Sequence, residues 1–165
     1  MLRILHIIPR LNKGGAERLC IDICNHLRMR EDVQVKLLTF SDDNAYPMLT
    51  QNVDWQIVPA SVQLSLSHKN LLNVGDLQKA IEDFAPDVIH THLFEAEIVS
   101  RSCYYPKAKW FSYCHDNMKQ FRNFSLKTLC NKELLTNYFE KRYLMSRYKA
   151  NGGTTFVAIS HDTES

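Results

Sequence analysis

Short runs of apolar and β-branched residues alternate with longer helix-type patterns along nearly all of the 165-residue chain. Apolar runs between turn residues are typical of strands, whereas apolar residues at steps of three and four indicate helices with one buried face. The predicted strands are Leu2–Ile8, Val33–Phe40, Trp55–Val58, Val88–His92, Trp110–Tyr113 and Phe156–Ile159, and the predicted helices are Ala16–Arg28, Leu72–Phe84, Glu95–Tyr104 and Leu126–Lys149. Residues 41–54 and 59–70 are expected to be loops with at most a turn of helix. The alternation predicts one α/β domain over residues 1–165, a doubly wound parallel sheet with helices on both faces.

Composition places the chain among globular proteins, with 45% hydrophobic residues and scattered charge. No apolar stretch approaches the ~20 residues that span a bilayer, and His6 and Arg10 interrupt the N-terminal run in a way that a signal peptide would not. The five cysteines are odd in number and form no CxxC pair, and Cys20 and Cys24 lie on the predicted buried face of a helix. We therefore expect a cytoplasmic protein with neither a disulfide nor a structural zinc site.

Two glycines, Gly14 and Gly15, separate the first predicted strand from the first predicted helix. Glycine at such a point provides either a positive φ for a tight turn or a close approach of the backbone to another group. A helix N-terminus presents unpaired N–H groups and the positive end of the helix dipole, which suits a phosphate. The alternative is a plain turn. The residues that follow match neither the third glycine of the dinucleotide fingerprint nor the lysine and hydroxyl residue of a P-loop.

Polar residues stand at the ends of several predicted strands, where a parallel sheet collects its ligands. His90 and His92 end the fourth strand, and His115 and Asp116 follow the fifth. Strand alternation puts His90 and His92 on the same face. Three interpretations of these histidines are open: hydrogen-bonded structural groups, ligands of a shared metal ion, or polar groups that face a reacting substrate. A firm case for a metal needs carboxylate or cysteine ligands at a known spacing, and we predict no metal site.

Four motifs occur in a fixed order along the chain. They are "GGAER" after the first strand, "PDVIHTHLFEAEIVSR" around the fourth, the strand that ends in "HD", and the final "FVAIS" segment, whose Ser160 is suited to cap a helix. Together they resemble the N-terminal domain of the family 4 retaining glycosyltransferases of the GT-B fold. The resemblance implies a Rossmann-like domain on the acceptor side of an active-site cleft, with most of the nucleotide-sugar donor held by a C-terminal domain that is absent from this chain.

The resemblance also implies roles for individual residues. His92 matches the active-site histidine, which is expected to contact the transferred sugar, and Gly14 and Gly15 would approach the donor diphosphate or that sugar. His115 and Asp116 would lie near a glycan, lipid-linked or cell-envelope acceptor. The implied reaction retains the anomeric configuration, needs no metal ion or other cofactor, and is not carried out by this half of the enzyme alone. The alternatives are a non-catalytic module that binds a nucleotide or an anion, and a sugar-nucleotide epimerase.

Positive charge is concentrated in residues 104–149, which carry 10 Lys and Arg against 3 Asp and Glu, whereas residues 1–103 carry 10 against 13. This segment is interpreted as the solvated face of a long helix, as a nucleic-acid site, or as a surface that rests on an anionic membrane. No recognised nucleic-acid motif accompanies the charge, so we predict no nucleic-acid partner. Because enzymes of the resembled family often act on lipid-linked acceptors, we expect peripheral contact with the inner face of the membrane.

Overall fold

The computed structural model describes residues 1–65, 68–114 and 132–158. The strands in these ranges are β1 (Leu2–Ile7), β2 (Val33–Thr39), β3 (Trp55–Ile57), β4 (Ser61–Gln63), β5 (Leu71–Asn73), β6 (Val88–His92), β7 (Lys109–Cys114) and β8 (Thr155–Ala158). The helices are α1 (Gly15–Leu27), α2 (Pro47–Thr50), α3 (Gly75–Phe84), α4 (Phe94–Ser100) and α5 (Lys132–Ala150). None of these helices is both long enough and apolar enough to cross a membrane.

Six of the strands form one parallel sheet in the order β3-β2-β1-β6-β7-β8. Counted along the chain within this sheet, the order is 3-2-1-4-5-6, which is that of the Rossmann fold. The order reverses between β1 and β6, where His6 lies opposite His90. In sheets of this kind ligands bind outside the carboxyl ends of the strands at the reversal. The predicted fold class is confirmed, and the reversal is the first place to look for a site.

Two clusters of buried apolar side chains cover the two faces of the sheet. One joins α1 to β2 and to Ile8 just after β1, and the other joins α3, α4 and α5 to β1, β6 and β7. The α1 side chains that reach the sheet are Cys20, Ile21 and Cys24, at the spacing of one helix face. Because the strands are buried on both faces, their sequences are runs of apolar residues rather than alternating apolar and polar residues. Helices on both faces make the sheet doubly wound, as predicted.

The structure corrects the limits of two predicted helices. The helix predicted from Leu72 begins at Gly75, because Leu71–Asn73 is β5, which pairs with β4 as an antiparallel hairpin outside the main sheet. The helix predicted to end at Tyr104 ends at Ser100, and the next residues form turns in which the amide of Ser102 donates to Val99 O. The predicted loops contain α2 and β4. Residues 126–131 of the last predicted helix, and Ile159, lie outside the described residues.

Candidate functional site

The connections that follow β1 and β6 meet at the carboxyl edge of the sheet. After β1 the chain runs to Gly14 before α1 begins, and this loop is held to residues 43–45 by backbone hydrogen bonds of Leu11. After β6, α4 starts with only Leu93 in between. Arg10 of the first connection and Glu95 of the second form an ion pair of 2.7 Å, in which both side chains are about half exposed. The two connections therefore flank one site at the reversal of the strand order.

The glycine pair does not serve a tight turn. Gly14 has φ −160°, which any residue adopts, and Gly15 is the first residue of α1. Positive φ among the described glycines occurs only at Gly152 and Gly153, so a turn that depends on positive φ, one of the two reasons considered for this glycine pair, does not apply here. A Cβ built on Gly15 would meet no atom within 4 Å, whereas a Cβ on Gly14 would collide with the Glu17 carboxylate. The backbone at Gly15 therefore faces open space, and close approach is the remaining reason for a glycine.

Tyr46 fixes the backbone just before α1. Its hydroxyl donates to the carbonyl oxygen of Gly14 and accepts a hydrogen bond from the Gly14 amide, each at 3.0 Å. No side chain caps the helix, although the Gly14 carbonyl accepts from the Arg18 amide. A helix N-terminus without a side-chain cap leaves N–H groups available for an anion, although here the Glu17 carboxylate lies next to Gly14.

A cluster of three histidines lies on the α1 side of β1 and β6. The ring centroids of His6, His90 and His92 are 4.8–5.3 Å apart, which confirms that His90 and His92 share a face. His6 Nδ1 and His92 Nε2 form a hydrogen bond of 3.0 Å. Tyr113 of β7 stacks on both rings of the β6 pair. His92 is fully buried and His90 is half-buried, so the cluster is packed rather than open.

Burial also controls the charge of His6. It lowers the pKa of His6 to about 3, with the nearby His90 as the second cause. His6 is therefore neutral at physiological pH, so one of its ring nitrogens carries a proton and the other has a free lone pair. A neutral imidazole in this place can bind a metal ion or orient the ring of His92.

Leu93 connects His92 to α4 with a strained backbone. Its φ is 70° and its ψ is 152°, a combination that residues with a Cβ rarely adopt. Such strain costs about 1–3 kcal/mol and is concentrated at functional sites, where the surrounding structure holds it in place. The strain lies directly after the predicted active-site histidine.

A buried charged network lies on the opposite face of β6. The Thr91 hydroxyl donates to the Glu97 carboxylate, and Arg101 Nε donates to the same carboxylate at 3.0 Å. The guanidinium of Arg101 lies 4.2 Å from the ring centroid of Trp110 and 4.8 Å from that of Tyr148. Burial lowers the pKa of Arg101, while the Glu97 carboxylate opposes that shift. The network ties α4 to β6, and so supports the turn after His92.

The predicted site residues divide into two groups. His92, Gly14 and Gly15 all lie at or beside the connections that flank the strand reversal, whereas His115 and Asp116 lie outside the described residues. Sequence reasoning missed His6, although a histidine inside the apolar first strand was a visible signal.

Comparison with known proteins gives a family and a fold. The sequence matches Glycosyltransferase Family 4 over residues 13–165. Among solved structures, the chain is similar to Anabaena Alr3699/HepE in complex with UDP and glucose, with 17% identity, a TM-score of 0.54, and coverage of 96% of this chain and 44% of that one. Acinetobacter baumannii MurG matches with 10% identity, a TM-score of 0.48, and coverage of 79% and 39%. No curated protein matches the sequence. The chain thus spans less than half the length of either solved protein.

Proposed function

This chain belongs to glycosyltransferase family 4, and from that membership we propose that it forms the acceptor-side domain of a retaining GT-B glycosyltransferase. The full-length enzyme would transfer a sugar from a nucleotide-sugar donor to a glycan, lipid-linked or cell-envelope acceptor. A C-terminal domain outside this chain would hold most of the donor. The observation that supports this most is that His92, the strained Leu93 and the glycine loop lie around the reversal of the strand order.

The donor is proposed to approach α1 at its N-terminus. The open space at Gly15 and the absence of a side-chain cap leave backbone N–H groups for a diphosphate, whose negative charge rises as the sugar departs. The similar HepE structure contains UDP and glucose, which makes a uridine diphosphate sugar the first donor to try. His115 and Asp116 stay proposed acceptor residues.

The proposed contact of His92 with the sugar requires some rearrangement, because its side chain is fully buried. The ion pair between Arg10 and Glu95 joins the two connections that flank it. Exposed ion pairs of this kind contribute at most about 1 kcal/mol to stability. Breaking this one on donor binding would therefore cost little free energy. Before the donor binds, the hydrogen bond from His6 would hold the ring of His92 in place.

Substitution of the two β6 histidines in the full-length enzyme tests the role of His92. We expect His92→Ala to lower kcat at least about tenfold, equivalent to roughly 1.4 kcal/mol of transition-state stabilisation. His90→Ala should act mainly on thermal stability. Equal losses of activity in both variants, without unfolding, would refute this division of roles.

Product analysis separates the candidate functions. Nucleotide-sugars are first ranked by the thermal shift that they cause in the full-length protein, and the best donor is then offered to glycan and lipid-linked acceptors. A new glycosidic bond with retained configuration supports the proposal. An epimerised donor indicates an epimerase, and binding without any product indicates a non-catalytic module. Residues 1–165 alone should fold and give no transfer.

The exposed face of α5 supports the proposed membrane contact. Phe139 and Met145 are 40% and 44% exposed, and the exposed Arg142 and Lys149 continue the same stripe at steps of three and four. Cations interleaved with exposed apolar side chains suit an anionic interface. Among the other basic residues of this segment, Lys119, Arg122 and Lys127 lie outside the described residues.

Liposome co-sedimentation tests this face. We expect salt-sensitive binding to vesicles with anionic lipid, and its loss in the double variant Arg142→Glu, Lys149→Glu. The matched control reverses two exposed lysines outside residues 104–149, Lys69→Glu and Lys79→Glu, and should keep most of the binding. No binding at low salt, or equal losses in both double variants, would leave only a solvated helix face.

A further inference from the structure

Three residues with metal-binding side chains meet on the α1 face of the sheet. His6 comes from β1, Cys20 from α1 and His92 from β6, and the three are at most 1% exposed. One ligand atom from each lies within 4.8 Å of the other two. All three positions are set by strands or a helix rather than by loops, so the geometry of the group is held by the core of the fold.

The spacing of the group is close to that of a metal centre. Bonds of about 2.0–2.3 Å to nitrogen and sulfur put the ligand atoms of a tetrahedral zinc ion roughly 3.5 Å apart. The hydrogen-bonded nitrogens of His6 and His92 are 3.0 Å apart and would separate by about half an ångström. The widest separation, at most 4.8 Å, would close by about 1 Å. Side-chain torsions alone can supply shifts of this size.

The chemistry of the group selects a class of ion. Two imidazoles and one thiol suit Zn²⁺ and similar transition metals, whereas Mg²⁺ and Ca²⁺ need oxygen ligands. We propose that His6, Cys20 and His92 form a binding site for one transition-metal ion of the zinc class. Sequence spacing does not predict this site, because its residues are far apart in the chain and only the pairing of β1 with β6 and the packing of α1 join them.

The protonation states are consistent with metal binding. His6 is already neutral, since burial lowers its pKa to about 3. Burial, followed by the neighbouring Cys24 thiol, raises the pKa of Cys20 well above its usual value, so the thiol carries its proton while no ion is present. Zinc would bind the thiolate and expel that proton to solvent, one per ion, and the positive charge of the ion would compensate the buried thiolate.

Occupancy of the site would affect catalysis through His92. The ion would replace the hydrogen bond between His6 and His92 and hold the His92 ring inside the core. Because the proposed function assigns that ring to the sugar, zinc should inhibit the enzyme. This inhibition rests on the proposed function, whereas the binding of the ion does not.

Cobalt substitution tests the site in the tag-free full-length protein, with Co²⁺ as a probe for Zn²⁺. We expect one Co²⁺ per chain with a water molecule as the fourth ligand, which would give a thiolate-to-cobalt charge-transfer band and tetrahedral visible bands. Both should disappear when Zn²⁺ displaces the cobalt. Cys20→Ala should abolish the charge-transfer band. Cys103→Ala removes a buried thiol from the opposite face of the sheet and should keep the band. If Cys20→Ala unfolds by circular dichroism, His6→Gln gives the same test, with affinity at least about tenfold weaker.

The outcomes separate the site from the enzyme mechanism. The absence of a charge-transfer band, or a band that survives Cys20→Ala, would overturn the site. With the site present, zinc should inhibit the wild-type enzyme and the Cys103→Ala variant, but not Cys20→Ala. Cobalt binding without zinc inhibition overturns the inhibition and leaves the site. Cobalt binding together with full activity of His92→Ala overturns the proposed role of His92 and leaves the site as well.

Discussion

Replacing Glu97 by Gln is the most direct test of the buried network behind the candidate site. The side chains of Arg101 and Glu97 are 0% and 2% exposed, so the guanidinium would lose its counter-charge where water does not reach it. Removing one partner of such a buried pair costs about 3–5 kcal/mol. For a chain of this size, each kcal/mol lowers Tm by about 2–4 °C, which gives a fall of roughly 6–20 °C. Urea unfolding and calorimetry measure the two quantities.

A second ion pair in the same chain provides the control. Arg18 and Asp22 on α1 have the same i,i+4 spacing, but their side chains are 52% and 51% exposed. Asp22→Asn should therefore cost no more than about 1 kcal/mol. The double variant Glu97→Leu, Arg101→Met should regain at least half of the loss in Glu97→Gln, because no charge stays buried. Similar costs for Glu97→Gln and Asp22→Asn would refute the argument from burial.

Two further predictions concern the backbone and pH. Ala85 ends α3 with φ 50°, so Ala85→Gly should stabilise the protein by about 0.5–1 kcal/mol, whereas Ala80→Gly inside α3 should destabilise it by a similar amount; urea unfolding that gives both the same sign would contradict this. The His6 pKa is about 3 in the fold against 6.5 ordinarily, so below pH 6.5 the unfolded chain binds a proton that the folded one does not. This contribution to stability is therefore complete above pH 6.5, and the free energy of unfolding falls towards pH 3 by up to about 1.4 kcal/mol per pH unit. His6→Gln should reduce this dependence on pH, measured by urea unfolding between about pH 5 and pH 7. An unchanged dependence in the variant would contradict the prediction.

The strands of the main sheet were predictable because buried parallel strands are apolar on both faces. The limits of β6, Val88–His92, match the prediction at both ends. Local patterns failed where distant contacts decide the outcome. "LLN" at residues 71–73 suits a helix start as well as a strand, and only its pairing with β4 makes it β5. The end of α4 is likewise set from afar, since the Asn151 side chain donates to the Cys103 carbonyl just beyond it.

The candidate site was predictable only in part, because it too depends on contacts between residues that are far apart in the chain. Strand alternation predicted that His90 and His92 share a face. His6 joins them because β1 pairs with β6 in the sheet, and no local sequence pattern predicts that pairing. Two reasons for the glycines were open, and the extended φ of Gly14 together with the helical position of Gly15 removes the turn with positive φ. The open space at Gly15 is consistent with the other reason, the close approach of another group. The sequence therefore predicted which polar residues stand at the strand ends. It did not predict which of them become neighbours, because that depends on the register between strands.

The two faces of β6 carry different chemistry. His92 points towards α1, where its partners are neutral imidazole and thiol groups, while Thr91, the next residue in the strand, points to the ion pair of Glu97 and Arg101. The charged pair links α4 to β6 through Thr91 on the face opposite the histidines, and the strained Leu93 lies between these two elements. Strain at a site persists only where the surroundings over-determine the backbone. The strained connection at Leu93 is therefore supported from the charged face of β6, while His92 faces the uncharged ring of His6 on the other face.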